Sequence, residues 1–324
     1  AGSADSTAGS DLDTLALTGA AEGVTLEVTA AGNFSLALAD ATGASDSANV
    51  VVNVADNGNA ATAATGVAVG TVNADAIETI NLTSSTADAN GSSDSTITLD
   101  ADAATTVNVA GANGLGLTLA SDTASVATIN ASSMTGGLSV TGGSATVTIT
   151  GGAGDDVLAS GAANATITGG DGNDTLSAGG SLNTLIGGAG TDTFNTYVSS
   201  NESTYVTFAD VASGDVISTD TTVGIVAFNS TAVVLASTAS FENYVDAAIV
   251  AAVDTLANGT ATDGDALAWF QFAGNTFLVT DTVDAVAATP TSTAPSTNAA
   301  TFTDGTDGIV QISGLVDLSA ATFD

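Results

Sequence analysis

Carboxylates are the only charged side chains that this chain offers to chemistry. Its 324 residues include 35 Asp and Glu and no Lys, Arg, His or Cys, for a formal charge of −35. Ser-His-Asp and Cys-His nucleophile systems need a His, a Schiff base needs a Lys, and His/Cys zinc sites need residues that are missing here. What remains is carboxylate, hydroxyl and amide chemistry, a set of hard oxygen donors. These donors are most regular in three segments, GGAGDDVLA (151–159), GGDGNDTLS (169–177) and GGAGTDTFN (187–195), whose sixth residues Asp156, Asp174 and Asp192 recur every eighteen positions. Glycines let such turns adopt conformations closed to other residues. Carboxylates together with turn carbonyls make an oxygen shell suited to calcium (Ca2+). The candidate ligands are Gly151, Ala153, Asp155 and Asp156 in the first turn, Gly169, Asp171, Asn173 and Asp174 in the second, and Gly187, Ala189, Thr191 and Asp192 in the third. Asp210 and Asp215, in FADVASGDVIS (208–218), are candidates for a further ion, with a plain turn as the alternative.

Such turns need a scaffold that stacks them. One inward apolar residue per short segment can be followed along the chain: Leu99, Val109, Leu119 and Ile129 at spacings of ten, then Val140, Ile149, Leu158, Ile167, Leu176, Leu185 and Phe194, settling to nine. A short fixed period with one strand per repeat predicts a β-solenoid, in which each unit buries its apolar residue only by stacking on its neighbours. The three acidic segments match the nonapeptide that binds calcium in parallel β-rolls. The segments between them, SGAANATIT (160–168) and AGGSLNTLI (178–186), keep Ile167 and Leu185 but place Ala165 and Asn183 where the carboxylate belongs. Two nonapeptides complete a coil, so one edge should carry the ions and the opposite edge few or none. Two full sites are expected, between the first and second and between the second and third intact turns. Metal-free Gly-Asp turns are the competing reading.

The expected fold is therefore mainly all-β: a parallel β-solenoid or β-roll with calcium-binding turns, over 71–195. It is preceded by a β-rich segment (1–70) and capped by a small C-terminal β domain with one helix (196–324). In the first segment TLALTGA (14–20), VTLEVTA (24–30), FSLALAD (34–40) and NVVVNVA (49–55) alternate as strands do, and NGNAATAATG (57–66) reads as a linker. LDADAA (99–104) reads as a solvated acidic loop. In the C-terminal domain Phe241, Tyr244, Val245, Ala248, Ile249, Ala252, Val253 and Leu256 share one helical face, predicting a helix over about 240–257 with Ser240 as N-cap and Gly259 as stop. WFQF (269–272), AGN (273–275) and TFLV (276–279) predict a hairpin, ATPTSTAPSTNAA (288–300) an exposed loop, and GIVQISGLVDLS (308–319) a last strand. Trp269, Phe270 and Phe272 read as core of that domain rather than as a sugar-stacking platform.

Composition excludes other classes. Binding nucleic acid by neutralising phosphates requires Lys or Arg, so no nucleic-acid partner is expected. No stretch approaches the length of a membrane helix, and the opening AGSADSTAGSDLD lacks a basic n-region, so the sequence reads as a mature or partial chain with no membrane span. No carboxylate pair stands out as a catalytic couple, so no enzyme is expected. The absence of Lys and Arg also removes every tryptic cleavage point.

The nonapeptides resemble the repeats-in-toxin (RTX) group exported by type I secretion. The string AIETINLTSSTADANGSSDSTITLDADAATTVNVAGANGLGLTLAS (76–121), followed by VATINASSMTGGLSVTGG (126–143), is similar to the β-solenoid of bacterial surface-layer proteins of that class. VAFNSTAVVLASTASFENYVDAA (226–248), WFQFAGNTFLVTD (269–281) and ATFTDGTDGIVQISGLVDLSAATFD (300–324) resemble their C-terminal module. The resemblance implies a secreted, extracellular protomer that forms a two-dimensional surface lattice with copies of itself when calcium is present, with an uncleaved C-terminal type I secretion signal. Calcium-bridged lipopolysaccharide or another surface anchor would be a second partner. Such proteins normally carry an N-terminal domain that attaches to lipopolysaccharide, and nothing here is recognisable as that anchor. The C-terminal part of a type I-secreted adhesin is the alternative.

Overall fold

The computed structural model describes residues 14–40, 42–43, 45–54, 68–85, 95–120, 125–143, 148–161, 164–180, 182–196, 205–219, 225–255, 265–282 and 308–321. The chain forms two compact units, residues 1–176 with 188–190, and residues 177–187 with 191–324.

In the first unit the chain alternates between two parallel sheets. Strands β1 (Thr14–Ala20), β3 (Asn33–Leu38), β5 (Ala68–Asn73), β7 (Ser95–Asp100), β9 (Leu115–Leu119), β11 (Leu138–Thr141), β13 (Val157–Ala159) and β15 (Thr175–Ser177) form one, in that order. Strands β2 (Val24–Val28), β4 (Ser47–Val52), β6 (Thr79–Ser84), β8 (Thr106–Gly111), β10 (Thr128–Met134), β12 (Thr148–Thr150) and β14 (Thr166–Asp171) form the other. Each coil thus contributes one strand to each sheet, the arrangement of a β-solenoid. The strands at 14–52, expected as a segment of their own, pair in parallel with the next coils, β3 with β5 and β4 with β6.

Alternation within each strand sends every second residue inward, where identical positions stack. Ala48, Ile80, Val107, Ile129, Ile149 and Ile167 form one continuous buried column. In the facing sheet Ile97, Leu117, Val140 and Leu158 form another. Burial of each such side chain is worth about 1.5–3 kcal/mol, and it is available only when the neighbouring coil is in place.

The ten-residue spacing misassigned one position. Leu119 is only half-buried and stacks on Leu99, whereas Leu117 lies next to Val140. Early coils bury two inward residues per strand and later ones a single one, so a constant spacing drifts across the ladder. The stretch 99–104 is not simply solvated either: Leu99, Ala101 and Ala104 are buried corner residues and Asp102 is exposed. Polar positions stack as well: Asn108 Nδ2 donates to Asn81 Oδ1 (2.9 Å), Asn81 Nδ2 to Asn49 Oδ1 (3.1 Å), and Asn49 Nδ2 to the Gly23 carbonyl (2.9 Å).

The second unit contains β16 (Thr184–Ala189), β17 (Thr193–Thr196), β18 (Val206–Phe208), β19 (Val216–Thr219), β20 (Ile225–Phe228), helix α1 (Phe241–Thr255), β21 (Asp265–Phe272), β22 (Asn275–Thr282) and β23 (Gly308–Ile312). Strands run in the order β16-β18-β23-β22-β21-β20, antiparallel only at β21–β22 and β22–β23. The predicted hairpin turns through Ala273 (φ 49°) and Gly274 (φ 87°), both left-handed, as a two-residue hairpin loop requires. Strand β23 ends at Ile312, seven residues short of the expected 319, and Gly314 turns the chain at φ 87°. Val245, Ala248, Ile249 and Ala252 of α1 pack on Ala266, Ala268, Phe270, Phe277, Val279 and Ile309. Phe270 is fully buried, Trp269 nearly so, and Phe272 packs against the same cluster, so these aromatics build the core. Ser240 Oγ accepts from Asn243 N (3.2 Å) and Asn243 Oδ1 from Ser240 N (3.1 Å), a reciprocal cap at the predicted N-terminus. The linker 57–66, the loop 288–300, Leu256 and Gly259 lie outside the described residues. No helix among those described is long and apolar enough to cross a membrane.

Candidate metal centre

The acidic turns follow from strand spacing. A short strand, a glycine turn and a second short strand leave the sixth residue just before the strand, where side chains still alternate inward. Asp156, Asp174 and Asp192 are accordingly buried, each with only 1% of its surface exposed. The first-position glycines Gly151, Gly169 and Gly187 are buried beside them. Third and fifth positions form an exposed rim: Ala153 and Asp155, Asp171 and Asn173, Ala189 and Thr191.

In the first unit the carboxylates make a ladder through the backbone. Asp156 accepts from Leu138 N at Oδ1 (2.6 Å) and from Gly152 N at Oδ2 (2.7 Å). Its own N–H donates to Asp174 Oδ1 (2.8 Å), while Asn173 N donates to Asp155 Oδ1 (2.7 Å). Burial raises the Asp156 carboxyl above its ordinary value of 3.8, the bonds from Leu138 and Gly152 pull it down, and the Asp155 charge raises it again. Carbonyls are enlisted too, Gly152 O by Asp171 N (3.0 Å) and Ala189 O by Gly172 N (2.9 Å).

The glycines serve two different ends. Gly170 sits at φ 125°, and a Cβ there would run into the Gly152 carbonyl of the coil beneath. Gly151 is needed for space instead: a Cβ would collide with Asp156 Oδ2 and the Gly169 carbonyl. The sequence had suggested only the conformational reason. Turns of the intervening nonapeptides differ at the described positions. They use non-glycine left-handed residues, Asn164 (φ 64°) and Leu182 (φ 62°), with Ala165 and Asn183 buried in place of a carboxylate.

In the second unit Asp192 N donates to Asp215 Oδ1 (3.0 Å), and Gly187 N to Asp210 Oδ1 (2.8 Å). Asp215 Oδ2 accepts from Ala212 N (2.7 Å). Strand β17 pairs with β19 from Thr193↔Val216, so Asp215 takes toward Asp192 the place that Asp174 takes toward Asp156. The step is 23 residues rather than 18, which hid the equivalence from a fixed-period reading.

The residues fit a hard divalent cation. Buried carboxylates with no cationic side chain anywhere in the chain need either protons or metal ions as counter-charge. The glycine cradle leaves no side chain in the way, and the donors that the turns offer are carboxylate and carbonyl oxygens, the type that calcium prefers. Residues 139–167 and 160–194 match the RTX calcium-binding nonapeptide repeat, in four copies. These repeats bind calcium ions. No curated protein matches the chain.

One further acidic group lies outside the repeats and takes two of its members, Asp100 and Asp102, from the stretch expected as a solvated loop. The carboxylates of Asp75, Asp100 and Asp102 lie within 4.8 Å of one another at a corner of the coils, and Asn73 Nδ2 bonds both Asp75 Oδ1 (3.0 Å) and Asp100 Oδ2 (3.1 Å). All three are at least partly open to solvent.

Proposed function

We propose that the chain is a subunit of a bacterial surface layer, exported by type I secretion and assembled with copies of itself into a two-dimensional lattice when its acidic turns take up calcium. The observation that carries this reading is the ladder of buried carboxylates in a chain with no side-chain cation. RTX repeat proteins are typically exported by type I secretion, which supports an extracellular setting. The resemblance of 76–121, 126–143, 226–248, 269–281 and 300–324 to surface-layer proteins supports the lattice.

In the first unit Asp156 and Asp174, with the turn carbonyls of Gly151, Ala153, Asp155, Gly169, Asp171 and Asn173, would hold the ion. In the second, Asp192 and Asp215 with Gly187, Thr191 and Asp210 would be the corresponding groups. Calcium supplies positive charge and a shared coordination partner to turns that otherwise repel. Leu138 N and Gly152 N hold the Asp156 carboxylate in place, and the glycine cradle leaves no side chain in the way. In a low-calcium cytosol the turns stay loose and export-competent; at millimolar external calcium, binding free energy becomes folding and assembly free energy.

Electron microscopy of the purified chain with millimolar calcium and then with a chelator, with circular dichroism on the same samples, tests the reading. Ordered sheets and β signal that both vanish on chelation are expected. Folded, dispersed particles in both conditions would overturn lattice and switch together. Particles that fold with calcium but never form sheets would leave the adhesin reading, which shares the same repeats.

A further inference from the structure

A buried carboxylate outside the nonapeptides stands at the corner preceding β4. Asp46 has only 8% of its surface exposed, and among the described residues its Oδ2 is fully buried and accepts no hydrogen bond. The carboxylate folds back against Gly43, whose Cα leaves room for it: a Cβ there would sit 3.3 Å from Asp46 Oδ1. Directly beneath, in the next coil, stands Glu78, because Ser47 pairs with Thr79. Glu78 turns its carboxylate up, and Oε2 accepts the Asp46 N–H at 2.9 Å. Asp46's own carboxylate springs from the Cα bonded to that nitrogen, so the Glu78 carboxylate reaches the backbone of a residue that is itself acidic, at one corner of successive coils.

An ionised carboxylate sealed from water is strongly disfavoured unless it is paired, protonated or bound to metal. Pairing with Lys, Arg or His is impossible in this chain. We propose that Asp46 and Glu78 bind a hard divalent cation, calcium in an extracellular setting, independently of the nonapeptides. The donors are oxygens only, and the half-buried Glu78 leaves a path for the ion and for the waters that complete a flexible calcium shell. Backbone groups already fix both ligands: Asp46 O accepts from Thr79 N (3.0 Å) and Glu78 O from Thr105 N (2.9 Å), so the ion would bridge two consecutive coils at a corner without an RTX turn.

The test is an ion count on the full chain by native mass spectrometry and equilibrium dialysis with calcium, comparing wild type, Asp46→Asn, Glu78→Gln and Asp174→Asn. Asp46→Asn and Glu78→Gln should each bind one ion fewer, or bind it at least tenfold more weakly. Asp174→Asn should retain that ion, and the Asp46→Asn/Asp174→Asn double variant should lose both sets additively. A wild-type count and affinity in Asp46→Asn and Glu78→Gln would overturn the site. So would a wild-type count with raised stability in Asp46→Asn, since that identifies a proton as the occupant. Should Asp46→Asn fail to fold in excess calcium, Glu78→Gln decides alone, because its amide oxygen can still accept the Asp46 N–H and only the charge is lost.

Discussion

At the scale of single residues the acidic turns set protons against calcium. Burial raises the Asp156 pKa above 3.8, so in the metal-free chain this group favours folding most below its unfolded pKa, and the contribution is lost as pH rises through the folded pKa. Metal-free protein should therefore be more stable at mildly acidic pH than at pH 7. Calcium, which needs the carboxylate ionised, should bind more weakly as pH falls over the same range. Chemical denaturation and calcium titration at a series of pH values check both slopes; a calcium affinity independent of pH would contradict the assignment of Asp156. Gly151→Ala probes the cradle itself. Its Cβ would collide with Asp156 Oδ2 and the Gly169 carbonyl, a degree of overpacking that costs about 1–3 kcal/mol. Calcium affinity and calcium-loaded stability should both fall, whereas Ala153→Ser on the exposed rim should change neither by much. The spacing of Asp156, Asp174 and Asp192 was legible because nonapeptides announce themselves. The partner of Asp156 at Leu138 N was not, since a backbone N–H leaves no residue-type signal.

Elements are held by ladders that repeat the same contact from coil to coil. Asn81 sits mid-ladder, donating to Asn49 and accepting from Asn108, so Asn81→Ala deprives two half-buried amides of partners at once. A loss of about 1 kcal/mol is expected, measured as a shift in the denaturation midpoint with the calcium count unchanged. In the second unit Ser240→Ala removes the reciprocal cap of α1 and should cost about 1 kcal/mol; Ser240→Asp should recover most of it. Both the helix and the hairpin were readable from local pattern: a 3.6-residue apolar face with a capping serine, and two alternating runs around Ala273-Gly274. What could not be read was register. The place of Asp215 beside Asp192 depends on the pairing of β17 with β19 across a non-repeating loop, and Leu117 rather than Leu119 lies beside Val140 because successive coils differ in length. Asp46 and Glu78 are likewise 32 residues apart and meet only through the pairing of β4 with β6.

For the molecule as a whole, a charge of −35 with nothing to offset it opposes compaction, and two remedies can be told apart. Monovalent salt shortens the screening length from about 30 Å at 0.01 M to about 3 Å at 1 M, which weakens repulsion between distant carboxylates everywhere at once. It does little for carboxylates that are buried and stacked within one ladder, where solvent ions do not enter. Calcium at a few millimolar barely alters ionic strength but supplies counter-charge inside the turns. Small-angle scattering should therefore show partial contraction of the metal-free chain in 1 M NaCl, while circular dichroism stays short of the full β signal. Millimolar calcium at low salt should produce both contraction and the full signal. If 1 M NaCl alone restored both, the acidic turns would be responding to bulk charge screening, and the ladder of Asp156 and Asp174 would owe its order to the apolar columns rather than to bound metal.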